Sequence, residues 1–127
     1  SLDRLEVAQK LDEKLSLLEK VTKVLIEINI GAEPQKSGIA PSELPTFLEQ
    51  LKKMPHLRVA GLMGMPPPFE SVEQRRPFFR QLKQLYDRYA PTGFEYLSMG
   101  TSQDYLVAVE EGANRVRLGT ILFGSRD

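Results

Sequence analysis

The sequence predicts an α/β fold in which four parallel strands make half of a (β/α)8 barrel. Three observations predict it. Short β-branched or apolar runs at residues 24–30, 57–63, 96–99 and 115–118 alternate with stretches of helical periodicity. Alternation at this spacing calls for right-handed crossovers, so the strands lie side by side with all their carboxyl ends on one edge. The segments that leave that edge carry the small and polar residues, as expected of the working end of such a fold.

Leu5, Ala8, Leu11, Leu15 and Leu18 recur at helical spacing with charges between them, which predicts an amphipathic helix over residues 2–20. No strand leads into it, so the chain reads as part of a longer barrel. The run Val24-Leu25-Ile26-Glu27-Ile28-Asn29-Ile30 suits a strand covered on both faces, with Glu27 and Asn29 sharing one face with Leu25. Residues 31–41 form a polar loop bearing Glu33, Lys36 and Gly38. Leu44, Phe47, Leu48 and Leu51 give the buried stripe of the next helix, which starts between Pro41 and Pro45 and stops at Met54-Pro55. His56 precedes the following strand, at the opposite end from Lys36, and reads as a solvated loop residue too far from the working edge to act as a base.

Met65-Pro66-Pro67-Pro68-Phe69 is a stiff connector at the carboxyl end of that strand, although a proline run also serves as bait for a recognition domain. The next helix carries Pro77 near its start and Phe78, Leu82, Leu85 or Tyr86, and Tyr89 on one side. Arg75, Arg76, Arg80, Lys83, Asp87 and Arg88 fall mostly elsewhere and read as solvent surface. Tyr96-Leu97-Ser98-Met99, a Gly100-Thr101-Ser102 turn, a helix over residues 103–111, Gly112 and the strand Arg115-Val116-Arg117-Leu118 follow. Gly119-Thr120 then opens a last apolar turn to Gly124.

The 127 residues amount to one domain, 1–127. Seventeen Lys+Arg against seventeen Asp+Glu give zero formal charge, which argues against a nucleic-acid or membrane-surface partner held by bulk electrostatics. The absence of cysteine excludes a thiol nucleophile, a disulfide framework and a thiolate metal site. No apolar run reaches the length of a membrane span and the start is no signal peptide, so the expected location is the cytoplasm.

The last two predicted strands each end in a small residue and a hydroxyl where a helix begins, an outline of a phosphate cradle. Arg117 faces away from Val116 and Leu118, and a cation on the inner face of a barrel needs a ligand or a carboxylate. The working edge otherwise lacks His, Cys, paired carboxylates or a metal pattern. Thr101-x-x-Asp104 is also a variant capping box.

Four motifs in order carry a resemblance. They are Ile28-Asn29-Ile30-Gly31-Ala32-Glu33-Pro34-Gln35-Lys36-Ser37-Gly38, Gly61-Leu62-Met63-Gly64-Met65, Ser98-Met99-Gly100-Thr101-Ser102-Gln103-Asp104 and Val116-Arg117-Leu118-Gly119-Thr120-Ile121-Leu122-Phe123-Gly124. The chain resembles the C-terminal half or so of the YggS/PROSC family of pyridoxal phosphate homeostasis proteins. The resemblance implies the C-terminal half of an alanine racemase N-terminal-domain-like barrel and pyridoxal 5'-phosphate as cofactor. It implies that Ser102, Gly119 and Thr120 hold the cofactor phosphate, with Ser98 and Gly100 shaping the turn, that Met99 and Thr101 belong to the same cofactor-binding set, and that Arg117 meets the pyridine nitrogen.

A guanidinium keeps its proton, so that nitrogen stays unprotonated and the ring is a poor electron sink. The family thus resembles a carrier or regulator more than a catalyst, with a racemase-like enzyme as the alternative. Two positions depart from the family pattern: Thr101, where methionine is usual, and Gln103, where aspartate is usual. The family's Schiff-base lysine lies in a motif that no stretch here resembles; Lys36 alone is on the working edge and reads as a loop lysine. The expected partners are the cofactor and either the missing N-terminal half or a second copy of the chain, which would cover two open sheet edges and the concave face.

Overall fold

The computed structural model describes residues 2–31, 37–90 and 93–118. Three parallel strands, β1 (Thr22–Ile28), β2 (Leu57–Gly64) and β3 (Tyr96–Ser98), form one sheet in the order β1-β2-β3. Helix α1 (Leu5–Leu17) precedes β1, α2 (Leu44–Leu51) crosses from β1 to β2, α3 (Arg76–Tyr89) crosses from β2 to β3, and α4 (Tyr105–Glu110) follows β3. None of the described helices is long and apolar enough to cross a membrane.

Alternation along β1 sorts its side chains. Val24, Ile26 and Ile28 are buried while Leu25 and Glu27 are half-buried on the other face. The buried set joins Ala8 and Leu15 of α1, Leu44, Phe47 and Leu51 of α2, Phe79, Leu82 and Leu85 of α3, and Leu62, Leu97 and Met99 in a single core. Helix α3 turns Phe79 inward, completely buried, where the sequence suggested Phe78; Phe78 instead stacks on Phe69 with ring centroids 5.5 Å apart. Both residues satisfy the spacing of a helical stripe, and packing chose between them. At Gly61 a Cβ would lie 1.8 Å from the Tyr96 carbonyl oxygen, so β2 and β3 approach too closely there for any side chain.

Three expectations need correction. The first helix starts at Leu5 rather than residue 2, because Leu2 is drawn to β1: its N–H donates to the Leu25 carbonyl at 2.7 Å and its carbonyl accepts from the Glu27 N–H at 2.8 Å. Leu18, expected in the buried stripe, caps that helix and is 63% exposed. The stretch 115–118 makes no fourth strand among the described residues; it runs beside β3 with one parallel bridge, Ser98 to Arg115.

The sheet edges are also less bare than the sequence implied. Leu2 and Ile39 both form parallel bridges to β1, at Ile26 and Ile28, and the Asp3 carboxylate accepts from the Gly38 N–H at 2.9 Å. His56 is not simply solvated, since its N–H donates to the Asp12 carboxylate at 2.9 Å and its Nδ1 is 3.3 Å from the same group. It remains at the amino end of β2, remote from the working edge.

Candidate functional site

The parallel sheet puts the carboxyl ends of its three strands on one edge, so Asn29, Gly64 to Met65 and Met99 to Ser102 gather there. Two cavities open at that edge. One, about 320 Å³, is lined by Met65, the three prolines, Arg75 and the residues from Gly100 to Asp104. The other, about 260 Å³, lies on the concave face among Glu27, Asn29, Ser37, Met63, Met65 and Arg117. Met65 borders both, so they are neighbours across one flexible side chain.

Gly100 makes the turn of the first cavity possible. Its φ is +98°, and a Cβ there would come within 2.6 Å of the Ala108 side chain. The chain then turns through Thr101, whose N–H donates to Asp104 Oδ1 at 2.7 Å and whose hydroxyl donates to the same oxygen at 3.2 Å. The Gln103 N–H donates in turn to the Thr101 hydroxyl at 3.3 Å. With the Asp104 N–H donating to the Thr101 carbonyl at 3.2 Å, three N–H groups of the turn are spent internally, and the capping-box reading of Thr101 and Asp104 holds in altered form. Ser102 is half-buried, and among the described residues its hydroxyl and N–H have no hydrogen-bond partner. Helix α4 starts only at Tyr105 and has six residues, so the donors of the turn rather than a long helix dipole face the cavity.

Asp104 is 4% exposed, and Arg75 makes its burial tolerable. The Arg75 Nη1 donates to Asp104 Oδ2 at 2.9 Å, while its Nε and Nη2 donate to the Phe69 carbonyl at 3.0 and 2.6 Å. One guanidinium thus ties the proline loop to the Gly100 turn. The sequence reading placed Arg75 on a solvated basic face and missed it. Its signal, an arginine one residue before a helix that follows a proline loop, identifies no partner without the fold. Two further arginines of that face are paired with carboxylates: Arg76 contacts Glu73, Glu110 and Glu111, and Arg80 contacts Glu111. Arg80 and then Arg76 hold the Glu111 carboxyl down to about 2.

In the second cavity the Arg117 N–H donates to the Gly100 carbonyl at 3.0 Å, which fixes where its side chain leaves the backbone. Its guanidinium is exposed and reaches Met63 Sδ at 3.6 Å, a weak acceptor and its one polar contact among the described residues. Among the described residues it forms no ion pair, although Glu27 lines the same cavity. The Ser37 hydroxyl donates to Glu27 on the same concave face.

Of the residues singled out from sequence, Gly100, Thr101 and Ser102 line the first cavity and Arg117 the second. Met99 is placed otherwise: its side chain is 2% exposed in the core and its N–H is taken by the Arg115 carbonyl at 3.1 Å. Ser98 is 6% exposed and lines neither cavity. Gly119, Thr120, Glu33 and Lys36 lie outside the described residues. No described lysine borders either cavity; Lys23 pairs with Glu95 at the other end of the sheet. Among the described residues no group of three or more His, Cys, Asp or Glu could hold a metal.

Comparison with known proteins adds the family context. The model of the alanine racemase N-terminal domain matches residues 1–127. A pyridoxal phosphate homeostasis protein of Aquifex aeolicus is 43% identical over 129 residues, covering 99% of this chain and 57% of that protein. The protein of the same name from Pseudomonas aeruginosa is 42% identical, covering 100% and 55%. The chain thus spans little more than half the length of these relatives. Among solved structures, PipY of Synechococcus elongatus without PLP superposes with a TM-score of 0.85 at 31% identity, covering 98% of this chain and 60% of PipY. PipY with PLP bound gives 0.83 at 30% identity, covering 98% and 59%. An alanine racemase of Clostridium difficile, at 20% identity and a TM-score of 0.73, shares the fold.

Proposed function

Because the chain belongs to the alanine racemase N-terminal domain family, with pyridoxal phosphate homeostasis proteins as its relatives, we propose that it binds pyridoxal 5'-phosphate and serves in homeostasis of that cofactor. The observation that carries the reading is Arg117, whose guanidinium on the concave face has, among the described residues, only the weak acceptor Met63 Sδ as a polar contact. A cation so placed suits a neutral ring acceptor, which is what a pyridine nitrogen offers.

In this reading the phosphate lies at the Gly100 turn, where the hydroxyl and N–H of Ser102 are available as donors. The family resemblance adds Gly119 and Thr120 to the residues that would hold the phosphate. The ring would lie on the side of Arg117, and Met65, which borders both cavities, would flank it. Bound pyridoxal phosphate supplies an aldehyde and an electron-accepting ring. Arg117 donates to the ring nitrogen and gives up no proton, so the ring stays a weak electron sink. Carriage and delivery of the cofactor follow more readily from this arrangement than catalysis.

Residues 1–127 form in this proposal one partial-barrel domain, in which 115–118, bridged to β3 only at Arg115, takes the fourth strand's place. The rest of the barrel wall comes from further polypeptide or a second copy. The lysine that captures the aldehyde comes with it, since no described lysine borders the cavities.

Titration with pyridoxal phosphate and with pyridoxal tests the reading, the expected result being clear preference for the phosphorylated form. Equal affinity for the two would remove the phosphate site and the proposal with it. Borohydride reduction followed by mass spectrometry of this 127-residue chain should leave its own lysines unmodified. A stoichiometric adduct on Lys36 would instead make that loop lysine the aldehyde partner.

A further inference from the structure

Asp104 poses an electrostatic difficulty for any anion at the Gly100 turn. Its carboxylate is 4% exposed, lines the same cavity as Ser102, and takes up the Thr101 N–H that would otherwise face a ligand. An unpaired carboxylate in that position repels a phosphate, and burial weakens the screening that water would provide. Among the described residues the one cation in contact with it is Arg75, whose side chain is 13% exposed. Arg75 is anchored from behind by two hydrogen bonds to the Phe69 carbonyl, at 3.0 and 2.6 Å, so the guanidinium stays aimed at Asp104 Oδ2.

The stacked rings of Phe69 and Phe78 hold that carbonyl in place against α3. The neighbouring arginines do not share this task. Arg76 and Arg80 contact Glu73, Glu110 and Glu111 and line neither cavity at the working edge.

We propose that Arg75 is a positioning residue that sets the preference for phosphorylated over unphosphorylated ligand. It cancels the charge of Asp104 beside the ligand's phosphate, and it holds the proline loop at a fixed distance from the Gly100 turn. The inference rests on the reading of that turn as the phosphate site. Arg75 itself donates nothing to the ligand in this account; it acts through Asp104. The fork of the guanidinium matters less for this effect than its charge, because the repulsion is relieved by any cation at that place.

The test is the ratio of the dissociation constants of pyridoxal and pyridoxal phosphate, measured on the full chain for wild type, R75A, R75K, D104N and the double variant R75A/D104N. R75A should cut the ratio by at least about tenfold, since one uncompensated charge at an effective permittivity of about 20 is worth that much even about 12 Å away. R75K should keep most of the ratio. The double variant should restore it, because asparagine retains the acceptor for the Thr101 N–H while removing the charge. D104N alone should raise the ratio, and it serves as the reading should R75A fail to fold.

A merely structural role for Arg75 weakens both ligands alike and leaves the ratio unchanged, which would overturn the inference. So would failure of D104N to rescue R75A, or a fall in the ratio with D104N alone. A wild type without preference defeats the phosphate reading itself, whereas a wild-type preference that survives R75A defeats this inference alone.

Discussion

The two faces of the sheet obey opposite rules. On the helix side Ile26, Leu62 and Leu97 are completely buried, and each packs into a core shared by α1, α2 and α3. On the concave side the same strands present Leu25, Glu27, Asn29 and Met63, with Arg117 standing over them. The first face lowers the free energy by removing apolar area from water. The second gives up that gain and leaves polar groups lining a cavity. Stability and, in the proposed function, recognition thus come from alternate residues of one strand.

Substitutions on the two faces should accordingly separate folding from binding. The largest effect is expected for Leu62→Ala, which opens a cavity in the core and should cost about 3 kcal/mol in urea denaturation. A loss below about 1 kcal/mol would mean that the core relaxes to fill the space. Arg117→Ala should leave the denaturation midpoint almost unmoved, since its guanidinium has one weak contact among the described residues. It should weaken cofactor affinity by about 2 kcal/mol, the scale of a hydrogen bond from a charged donor, and shift the ring absorbance. An unchanged spectrum and affinity would place Arg117 outside the site.

Ser102→Ala probes the other cavity. It should cost about 1 kcal/mol in affinity for the phosphorylated ligand and nothing for pyridoxal. A loss shared by both ligands would assign Ser102 to the shape of the turn instead.

The smallest effect concerns Glu111, on neither face. Its two arginines hold its carboxyl at about 2 against an ordinary 4.5, so its contribution to stability is full above pH 4.5 and is lost as pH falls through 2. Glu111→Gln should therefore lower the melting temperature at pH 7 by a few degrees at most, in line with about 1 kcal/mol for partly solvated ion pairs. The gap to wild type should close as the pH falls from 4.5 to 2. A gap that persists at pH 2 would point to lost packing rather than charge.

Much of this arrangement was legible from residue order. The alternation of short apolar runs with helical stripes gave β1, β2 and β3 and all four helices to within a few residues, because burial of one face leaves a period in the chain. The motif from Ser98 to Asp104 marked the Gly100 turn, since Gly100 has a positive φ that its sequence neighbours do not.

Other features had no period to read. Leu2 is a single residue recruited to β1 by two backbone hydrogen bonds, and Ile39 reaches the same strand from a loop. The stretch 115–118 has the composition of a strand, yet only the bridge at Arg115 is realised among the described residues.

The sequence by itself determined the parallel α/β plan, the working edge and the identity of Ser102 and Arg117 as residues to test, because each follows from periodicity or from chemistry carried within one short stretch. Tertiary structure alone decided that Phe79 rather than Phe78 enters the core, that the Met99 side chain packs into that core, and that Arg75 answers Asp104 across 29 positions of chain. The physical reason is distance along the chain. Periodicity records which face of an element is buried, whereas the partner of a buried charge is set by how two elements approach, and no local pattern encodes that approach.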